Sequence, residues 1–209
     1  MKPDYLWTDE ELTTEFVVTK MLQWKNDFWS WFTECVYTID EGNLDEPVKR
    51  APPFKYLKVL SDTIEGNHTT IVEKSRQQFI THFMCAKFLW YFLFKPYSRC
   101  ILVSQRESQV ADVIATRIVP IYEFLDPRFP WPLLDKRSHI KNLEIEHPLS
   151  SVGYLIMGLP SGSDKGRGLT GTLVWLDEFG FQDNQDQTIR AVKPMVNGPD
   201  SKLIITSTP

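Results

Sequence analysis

Two adjacent carboxylates, Asp177 and Glu178, directly follow an apolar run in the segment TLVWLDEFGF. A buried strand that ends in such a pair places it at the carboxyl edge of a sheet, where ligands of open α/β sheets bind. Phosphoryl chemistry needs one carboxylate to hold Mg²⁺ and a second to orient and deprotonate the attacking water. Adjacent strand residues point to opposite faces, so these two can divide the tasks. Solvated carboxylates at a strand end are the commoner explanation of this pattern.

A second candidate segment, residues 70–83, reads as a strand that enters a helix through a loop without glycine. In the ordinary phosphate-binding loop, G-x-x-x-x-G-K-[ST], backbone N–H groups cradle phosphates, the lysine reaches the β/γ oxygens and the hydroxyl contacts Mg²⁺. Thr81 has the hydroxyl position at a helix start, where the dipole favours an anion. Lys74 stands at the front of the loop instead, and Arg76 adds a guanidinium suited to phosphate oxygens. A solvated turn with a helix cap explains the same residues.

A third segment, LIITSTP, is a predicted buried strand that ends in the hydroxyl residues Thr206, Ser207 and Thr208. Hydroxyl groups close to a γ-phosphate could sense whether it is present and transmit that state to a neighbouring domain. A simple turn after a strand is the ordinary explanation.

The elements that must position these residues alternate between strands and helices from about residue 69 onward. This pattern predicts an α/β fold with a mostly parallel central sheet flanked by helices. A long helix is predicted over 10–38, from an aromatic stripe at three- and four-residue steps. A polar, proline-containing link, DEGNLDEPVKRAPP, follows it. We therefore predict an amino-terminal helical, lid-like subdomain with its linker over 1–52 and a core over 53–209.

The composition excludes several classes of protein. Of the 209 residues, 42% are hydrophobic and 24% are charged, and the net charge of −4 gives no global electrostatic reason to bind nucleic acid. The three cysteines show no disulfide or zinc spacing, which favours a reducing compartment. The longest apolar run, over 83–94, is too short to span a bilayer, and the amino terminus does not resemble a signal peptide. An intracellular soluble protein is expected.

The order of the three segments resembles the large terminase subunits of tailed bacteriophages, the motors that pump DNA into capsids. KSRQQFIT resembles the deviant phosphate loop of that family, with its lysine at the front followed by Ser-Arg-Gln. LVWLDE resembles the second motif, preceded by a typical Arg167-Gly168, and TSTP resembles the coupling motif. The likeness covers about residues 54–209, and it implies a P-loop NTPase core of the ASCE or RecA-like type.

The resemblance implies ATP and Mg²⁺ as ligands and assigns roles to the candidate residues. Thr81 and Asp177 would hold the metal, Glu178 would activate water, and Arg76 would stabilise charge in its own site or in a neighbour's. Thr206, Ser207 and Thr208 would couple hydrolysis to motion, and adenine would lie near Pro53, Phe54 and Tyr56. The ATP-binding residues implied are Lys74, Ser75, Arg76, Gln77, Gln78, Phe79, Ile80, Thr81 and Tyr56.

One residue departs from the family pattern, because Phe79 stands where family members usually have glycine. If the backbone there is left-handed, a bulky residue costs about 1–2 kcal/mol, and its ring could crowd the phosphates. Because Lys74 and Thr81 remain, we expect nucleotide binding to be retained or weakened.

The function implied is an ATPase domain that drives double-stranded DNA into a procapsid, in the host cytoplasm and transiently at the portal. Implied partners are DNA, the portal protein, the small terminase subunit and further copies in a ring, although an isolated domain could be monomeric; no membrane is involved. Candidate DNA contacts are Arg99, Lys136, Arg137 and Lys141, which are more commonly solvated residues. The nuclease domain of the family is expected to be absent from this chain. The alternatives are a helicase-like DNA-stimulated ATPase and a catalytically silent scaffold whose nucleotide site Phe79 has closed.

Overall fold

A computed structural model of the chain describes residues 3–40, 42–43, 45–75, 79–134, 144–146, 154–161 and 168–208. Its helices are α1 (Thr14–Asn26), α2 (Phe28–Cys35), α3 (Lys55–Gly66), α4 (Ile80–Phe94), α5 (Glu107–Val113), α6 (Val119–Glu123) and α7 (Gln185–Val192). Its strands are β1 (Tyr37–Ile39), β2 (Val48–Arg50), β3 (Thr69–Glu73), β4 (Cys100–Ser104), β5 (Glu144–Glu146), β6 (Tyr154–Pro160), β7 (Leu173–Leu176) and β8 (Lys202–Ser207).

The central sheet has six strands in the order β3-β8-β7-β4-β6-β5. The first five run parallel to one another, and β5 is antiparallel to β6. The predicted mostly parallel sheet flanked by helices is therefore confirmed. The last strand of the chain, β8, lies between β3 and β7, so three strands distant in sequence become neighbours.

The sheet is covered on both faces, as the alternation of side chains along its strands requires. Leu102, Trp175 and Ile204 point to one face, where they join a large cluster with α4, the amino-terminal helices and α5. On the other face, Ile101 and Val174 pack with residues of α7 and the short helical turn after it. Parallel strands buried on both faces read as continuous apolar runs, which explains segments such as CILV and LVWL.

Helix α4 is the centre of the larger cluster, and 13 of its 15 residues are buried. It packs against α2 through edge contacts of Phe83 with Phe28 and Phe32, at ring-centroid distances of 5.3 and 5.4 Å. The prediction that this segment is apolar nearly all round because it is a buried helix is consistent with this packing. The start of the helix, which follows the candidate phosphate loop, is thereby held rigidly against the sheet.

The single helix predicted over 10–38 is wrong, because the structure divides it into α1 and α2. At the break, Asp27 has an extended backbone, with φ −133° and ψ 100°, and its side chain accepts a hydrogen bond from the Trp29 amide as the N-cap of α2. Local capping overrides the continuous aromatic periodicity here. Strand β1 then stands where the end of the predicted helix was expected, and it pairs antiparallel with β2 in the predicted linker. The division into 1–52 and 53–209 stays a prediction.

A helix predicted over the segment ESQVADVIATRIVPIYEFL is present but is not uniform. Between α5 and α6 lies a π-helical turn, Ile114–Ile118, in which the Val119 amide donates to the carbonyl of Ile114. Pro120 follows directly and has no amide hydrogen to donate. The helix therefore widens locally just before this proline. Among the described residues, no helix is long and apolar enough to cross a membrane.

One ionisable group lies inside this core. Lys87 of α4 has 0% exposed side chain, and its ammonium pairs with Glu65, whose side chain is 53% exposed. The ammonium also lies 4.3 Å from the centre of the Phe28 ring. Burial lowers the pKa of Lys87, against the opposing effect of the Glu65 charge. The two partners of this ion pair are therefore in very different environments.

We predict opposite effects on stability from removing either partner of this pair. Lys87→Met leaves a largely solvated carboxylate and removes a buried charge, so it should leave the free energy of unfolding unchanged or raise it by up to about 4 kcal/mol at pH 7. Glu65→Ala leaves a buried ammonium without its partner and should lower the free energy of unfolding by about 3–5 kcal/mol. Denaturant unfolding of both variants tests this.

The pH dependence gives a second readout. Since the pKa of Lys87 is lower in the folded than in the unfolded state, the unfolded protein binds more protons, and stability rises with pH between the folded pKa and 10.5. Lys87→Met should abolish that rise. Strong destabilisation by Lys87→Met at neutral pH would contradict the assignment.

Candidate functional site

The three candidate segments end at one edge of the sheet because β3, β8 and β7 are adjacent and parallel. Glu73 pairs with Ser207 in the register of β3 and β8, and Leu176 pairs with Ile205 in that of β7 and β8. The Lys74 amide continues the ladder by donating to the carbonyl of Ser207 at 2.9 Å. Residues 74, 177, 178 and 206–208 therefore meet, although up to 134 positions separate them in the chain.

Lys74 is at the centre of this meeting point. Its ammonium lies 3.1 Å from the Thr81 hydroxyl, 3.3 Å from Oδ1 of Asp177 and 3.1 Å from Oε1 of Glu178. The lysine and Asp177 are both buried, whereas about a third of the Glu178 side chain is exposed. The structure thus brings together the front lysine, the hydroxyl at the start of α4 and the acidic pair.

The hydroxyl residues of β8 contact the same carboxylates. Thr206 is fully buried, donates to Oδ1 of Asp177 at 2.9 Å and accepts from the indole N–H of Trp175. Thr208 donates to Oε2 of Glu178 at 2.8 Å. Between them, Ser207 accepts from the Gly180 amide at 2.9 Å. Each of the three hydroxyls therefore touches the acidic turn.

Gly180 lies at the close approach of this turn to β8. A Cβ at Gly180 would lie 2.5 Å from the Ser207 hydroxyl oxygen, which is closer than real Cβ contacts. The backbone behind the acidic pair is held from the other side by Gln182, whose amide donates to the carbonyl of Asp177 at 2.9 Å. The turn that carries the carboxylates is therefore fixed on both sides.

The two carboxylates have different electrostatic environments. Burial raises the pKa of Asp177, and the charge of Lys74 and the Thr206 hydrogen bond oppose this only in part. Burial also acts to raise the pKa of Glu178, but hydrogen bonds from Thr208 and Lys74 outweigh it and hold that pKa below its usual value. Glu178 is accordingly the partly exposed member of the pair, whose pKa is lowered. Asp177 is the buried member.

Two of these positions have a left-handed backbone without being glycine. Glu178 has φ 49° and ψ 44°, and Phe79 has φ 59° and ψ 5° as the N-cap of α4. Each such conformation costs about 1–2 kcal/mol for a residue with a Cβ. Strain of this kind concentrates at binding and catalytic sites. The condition set for Phe79 from the sequence, a left-handed backbone, is met.

The Phe79 ring does not close the site. It packs on the imidazole of His82 at a centroid distance of 4.6 Å and against the large core cluster. A cleft of about 680 Å³ remains beside it, within the range of small-molecule sites. The described residues that line this cleft are Thr38, Ile39, Asp40, Gly42, Lys74, Ser75, Phe79, Ile80, Thr81, His82, Arg117, Glu178 and Thr208.

Several residues named from the sequence are elsewhere or outside the described part of the chain. Tyr56 is not among the described residues of the cleft; it stacks on Phe54 at 5.3 Å near the start of α3. Arg99 lies next to the amino end of β4, at the opposite edge of the sheet. Outside the described residues lie Arg76, Gln77, Gln78, Lys136, Arg137, Lys141 and Arg167.

Sequence reasoning missed one wall of the cleft. Residues 38–40, Gly42, His82 and Arg117 line it but were not named as candidates. His82 could have been found, since it directly follows Thr81. The others carry no local pattern, because strand β1 and the π-helical turn reach the cleft only through tertiary packing.

The donor set at the sheet edge is compatible with Mg²⁺. That ion prefers oxygen ligands and is commonly held by one or two carboxylates, waters and substrate phosphates. Asp177 and Glu178 supply carboxylates, and Thr81 supplies a hydroxyl beside them. Within the described residues, no group of three or more His, Cys, Asp or Glu side chains could hold a metal ion.

Comparison with known proteins gives structural matches alone. The fold is similar to that of the large terminase of bacteriophage HK97, with a TM-score of 0.66, 13% identity and coverage of 88% of this chain and 37% of that one. It is also similar to a variant of the ATPase domain of the Thermus phage P74-26 large terminase, with a TM-score of 0.58, 19% identity and coverage of 76% and 66%. No protein-family model matches the chain, and no curated protein matches it.

These matches show that the chain has the fold of large terminase ATPase domains, as the sequence motifs suggested. The chain spans little more than a third of the HK97 large terminase. At such low identity, the similarity concerns the fold only, and activity has to be argued from the site.

We predict that, because of the left-handed backbone at Phe79, a glycine variant is more stable than an alanine variant, which is the reverse of the usual order in helices. Both Phe79→Ala and Phe79→Gly remove the ring, but only alanine has a Cβ that opposes φ 59°. The glycine variant should therefore be the more stable by about 1 kcal/mol in denaturant unfolding.

The exposed helical residue Lys58 is the matched control, because there the alanine variant should be more stable than the glycine variant by about 1 kcal/mol. Equal stability of the two Phe79 variants, or an advantage for alanine, would disprove strain at this position.

Proposed function

We propose that this chain hydrolyses ATP as the ATPase domain of a viral DNA-packaging motor. The observation that supports it most is that oxygens of Thr81, Asp177 and Glu178 all lie within 3.3 Å of the Lys74 ammonium. This cluster stands at the carboxyl edge of the parallel strands. Ligands of open α/β sheets bind at this edge. The fold shared with large terminases supports the choice of a packaging motor within the wider group of ATPases.

In the proposed reaction, the Lys74 ammonium moves from the carboxylates to the β/γ-phosphate oxygens of ATP. Thr81 and Asp177 would hold Mg²⁺, which when bound would neutralise charge on the phosphates. Glu178 accepts a proton from the attacking water and orients it, a role that needs an ionised and accessible carboxylate. The lowered pKa and partial exposure of Glu178 fit this task, and the burial of Asp177 fits a fixed ligand.

The hydroxyls of β8 connect this chemistry to the rest of the sheet. Thr208 holds Glu178, and Thr206 holds Asp177. When the carboxylates turn towards metal and water, these hydrogen bonds must rearrange. Strand β8 would then transmit the structural change at the phosphate to the rest of the sheet. This arrangement supports the assignment of Thr206, Ser207 and Thr208 as coupling residues. Arg76 is proposed as a further cation of the phosphate loop.

The wider setting is also part of the proposal. Double-stranded DNA, a portal protein, a small terminase subunit and a ring of identical subunits are the partners that a packaging motor needs. Its place would be the host cytoplasm, transiently at the procapsid portal. Since the chain spans only part of the large terminase that it resembles, the activities of a complete motor go beyond this domain.

We predict that Glu178→Gln lowers ATP hydrolysis by about 10²- to 10⁴-fold, because glutamine cannot accept the proton of the attacking water. ATP binding should persist, since glutamine keeps the size of the side chain and an acceptor for Thr208. Phosphate release with and without double-stranded DNA, beside an ATP titration, measures both. Glu15→Gln, an exposed change on α1, is the matched control.

The outcomes separate the motor from its rivals. Hydrolysis that is stimulated by DNA and lost in Glu178→Gln agrees with the proposal. A protein that neither hydrolyses nor binds ATP would contradict it and would favour a silent scaffold.

A second prediction concerns the position of Lys74. Its ammonium lies among the oxygens of Thr81, Asp177 and Glu178, which are the proposed surroundings of the metal. Lys74→Met should therefore raise the affinity for Mn²⁺ in the absence of nucleotide, on the order of tenfold, because a competing charge is removed from a partly buried site. The same change should weaken ATP binding, because a cation for the phosphates is lost.

Electron paramagnetic resonance titration with Mn²⁺ and a nucleotide titration test the two opposite effects. Lys58→Met, an exposed change of the same kind on α3, should alter neither. Weaker Mn²⁺ binding in Lys74→Met would contradict the overlap of the ammonium and metal positions.

A further inference from the structure

The described lining of the cleft offers few positive charges to a polyphosphate. Lys74 is already paired with Asp177 and Glu178, and Asp40, which also lines the cleft, is paired with Lys49. A nucleoside triphosphate brings several more negative charges, and burying them beside the acidic pair without compensation is costly. Among the described residues that line the cleft, Arg117 is the other side chain that is positively charged at pH 7.

Arg117 is available for a ligand. Its side chain is exposed, and within the described part of the chain its guanidinium makes no ion pair and no hydrogen bond to another side chain. Arg128 shows the contrast, since it is held by Asp126 and Asp9. A guanidinium presents a planar fork that matches two phosphate oxygens at once.

The fold fixes the base of this side chain. Arg117 belongs to the π-helical turn Ile114–Ile118, and Ile114 and Ile118 are both fully buried in the large core cluster. The turn is packed on α4, whose first turn carries Thr81 and His82. π-Helical turns are frequent at functional sites because they redirect side chains. The backbone that carries this guanidinium is therefore held in place, and the Arg117 side chain lines the same cleft as Lys74 and Glu178.

Arg117 is close to the start of α4, since its charge acts together with burial to lower the pKa of His82. The Phe79 ring packs on that imidazole at a centroid distance of 4.6 Å. Arg117 and this aromatic pair therefore line the cleft together.

We infer that Arg117 is a phosphate-binding residue of this site, acting within its own subunit. It would contact the polyphosphate of a nucleoside triphosphate from the side opposite the acidic pair, while Lys74 contacts it from the sheet edge. The inference rests on the proposed function and deepens it by naming a residue that neither the motifs nor the phosphate loop contains. Its role is to bind, and it is separate from the activation of water by Glu178.

The test compares Arg117→Gln and Arg117→Lys with the unaltered protein, using ATP and inorganic tripolyphosphate as ligands. Charge-assisted hydrogen bonds to phosphate are strong, so Arg117→Gln should lower the affinity for both ligands by about 10- to 100-fold. Arg117→Lys should recover part of this, because it keeps the charge and loses the fork. Arg190→Gln is the matched control, an exposed arginine on α7 at the other face of the sheet, and should change neither affinity.

Each remaining outcome is decisive. If ATP binding falls and tripolyphosphate binding does not, Arg117 contacts the nucleoside and the inference is wrong. If both affinities are unchanged while hydrolysis falls, Arg117 acts in the reaction or on a neighbouring subunit, and it is again wrong. Unfolding temperatures of the ligand-free variants should match that of the parent; a large drop would show a structural role instead. If the unaltered protein binds neither ligand, the proposed function itself fails, and the inference fails with it.

Discussion

The ion pairs of Lys74 with Asp177 and Glu178 are the interaction on which the site depends. An ammonium and a carboxylate that are both buried are stable only together, since either one alone would carry an uncompensated desolvation cost. These contacts tie the end of β3 to the end of β7 across β8, whose hydroxyls bind the same carboxylates. Three strand ends and the start of α4 are thereby held in one polar cluster.

In the proposed reaction, that cluster has to come apart. Its lysine is occupied by the acids that are proposed to hold metal and water, so a bound nucleotide would exchange one set of partners for another. The exchange is feasible because Glu178 is partly exposed and its partners are side chains. The strained backbone at Glu178 and at Phe79 belongs to the same picture. Such conformations persist because the surrounding packing over-determines them, and they aim side chains where regular structure would not.

Phe79 shows how tertiary packing can change the meaning of a substitution. Glycine is the residue that a left-handed helix cap favours, and a phenyl ring there could have blocked the phosphates. The ring turns away onto His82 and the core, and the cleft stays open. The cost of the backbone is thus offset by aromatic packing on the wall that also carries Arg117. The replacement of glycine by phenylalanine could not reveal this by itself, because the direction of the ring depends on its χ angles and on the side chains that pack around it.

The sequence alone was sufficient for the α/β class, the buried helix α4 and the three strand ends that carry Lys74, Asp177 and Thr206. These follow from local causes: apolar runs of strand length, their polar terminal residues and the order of strands and helices. The continuous helix over 10–38 was predicted wrongly, because one capping aspartate outweighs an aromatic stripe. The π-helical turn before Pro120 was not predicted, since its hydrogen bonds depend on packing against α4.

Tertiary structure alone decided which residues share the cleft. The insertion of β8 between β3 and β7 determines that hydroxyls meet carboxylates, and it is a property of long-range strand pairing that no local window contains. The packing of the π-helical turn and β1 around α4 decided that Arg117, His82, residues 38–40 and Gly42 line the cleft. The physical reason is the same in both cases: periodicity and propensity act over a few residues, whereas burial of a shared core selects the neighbours.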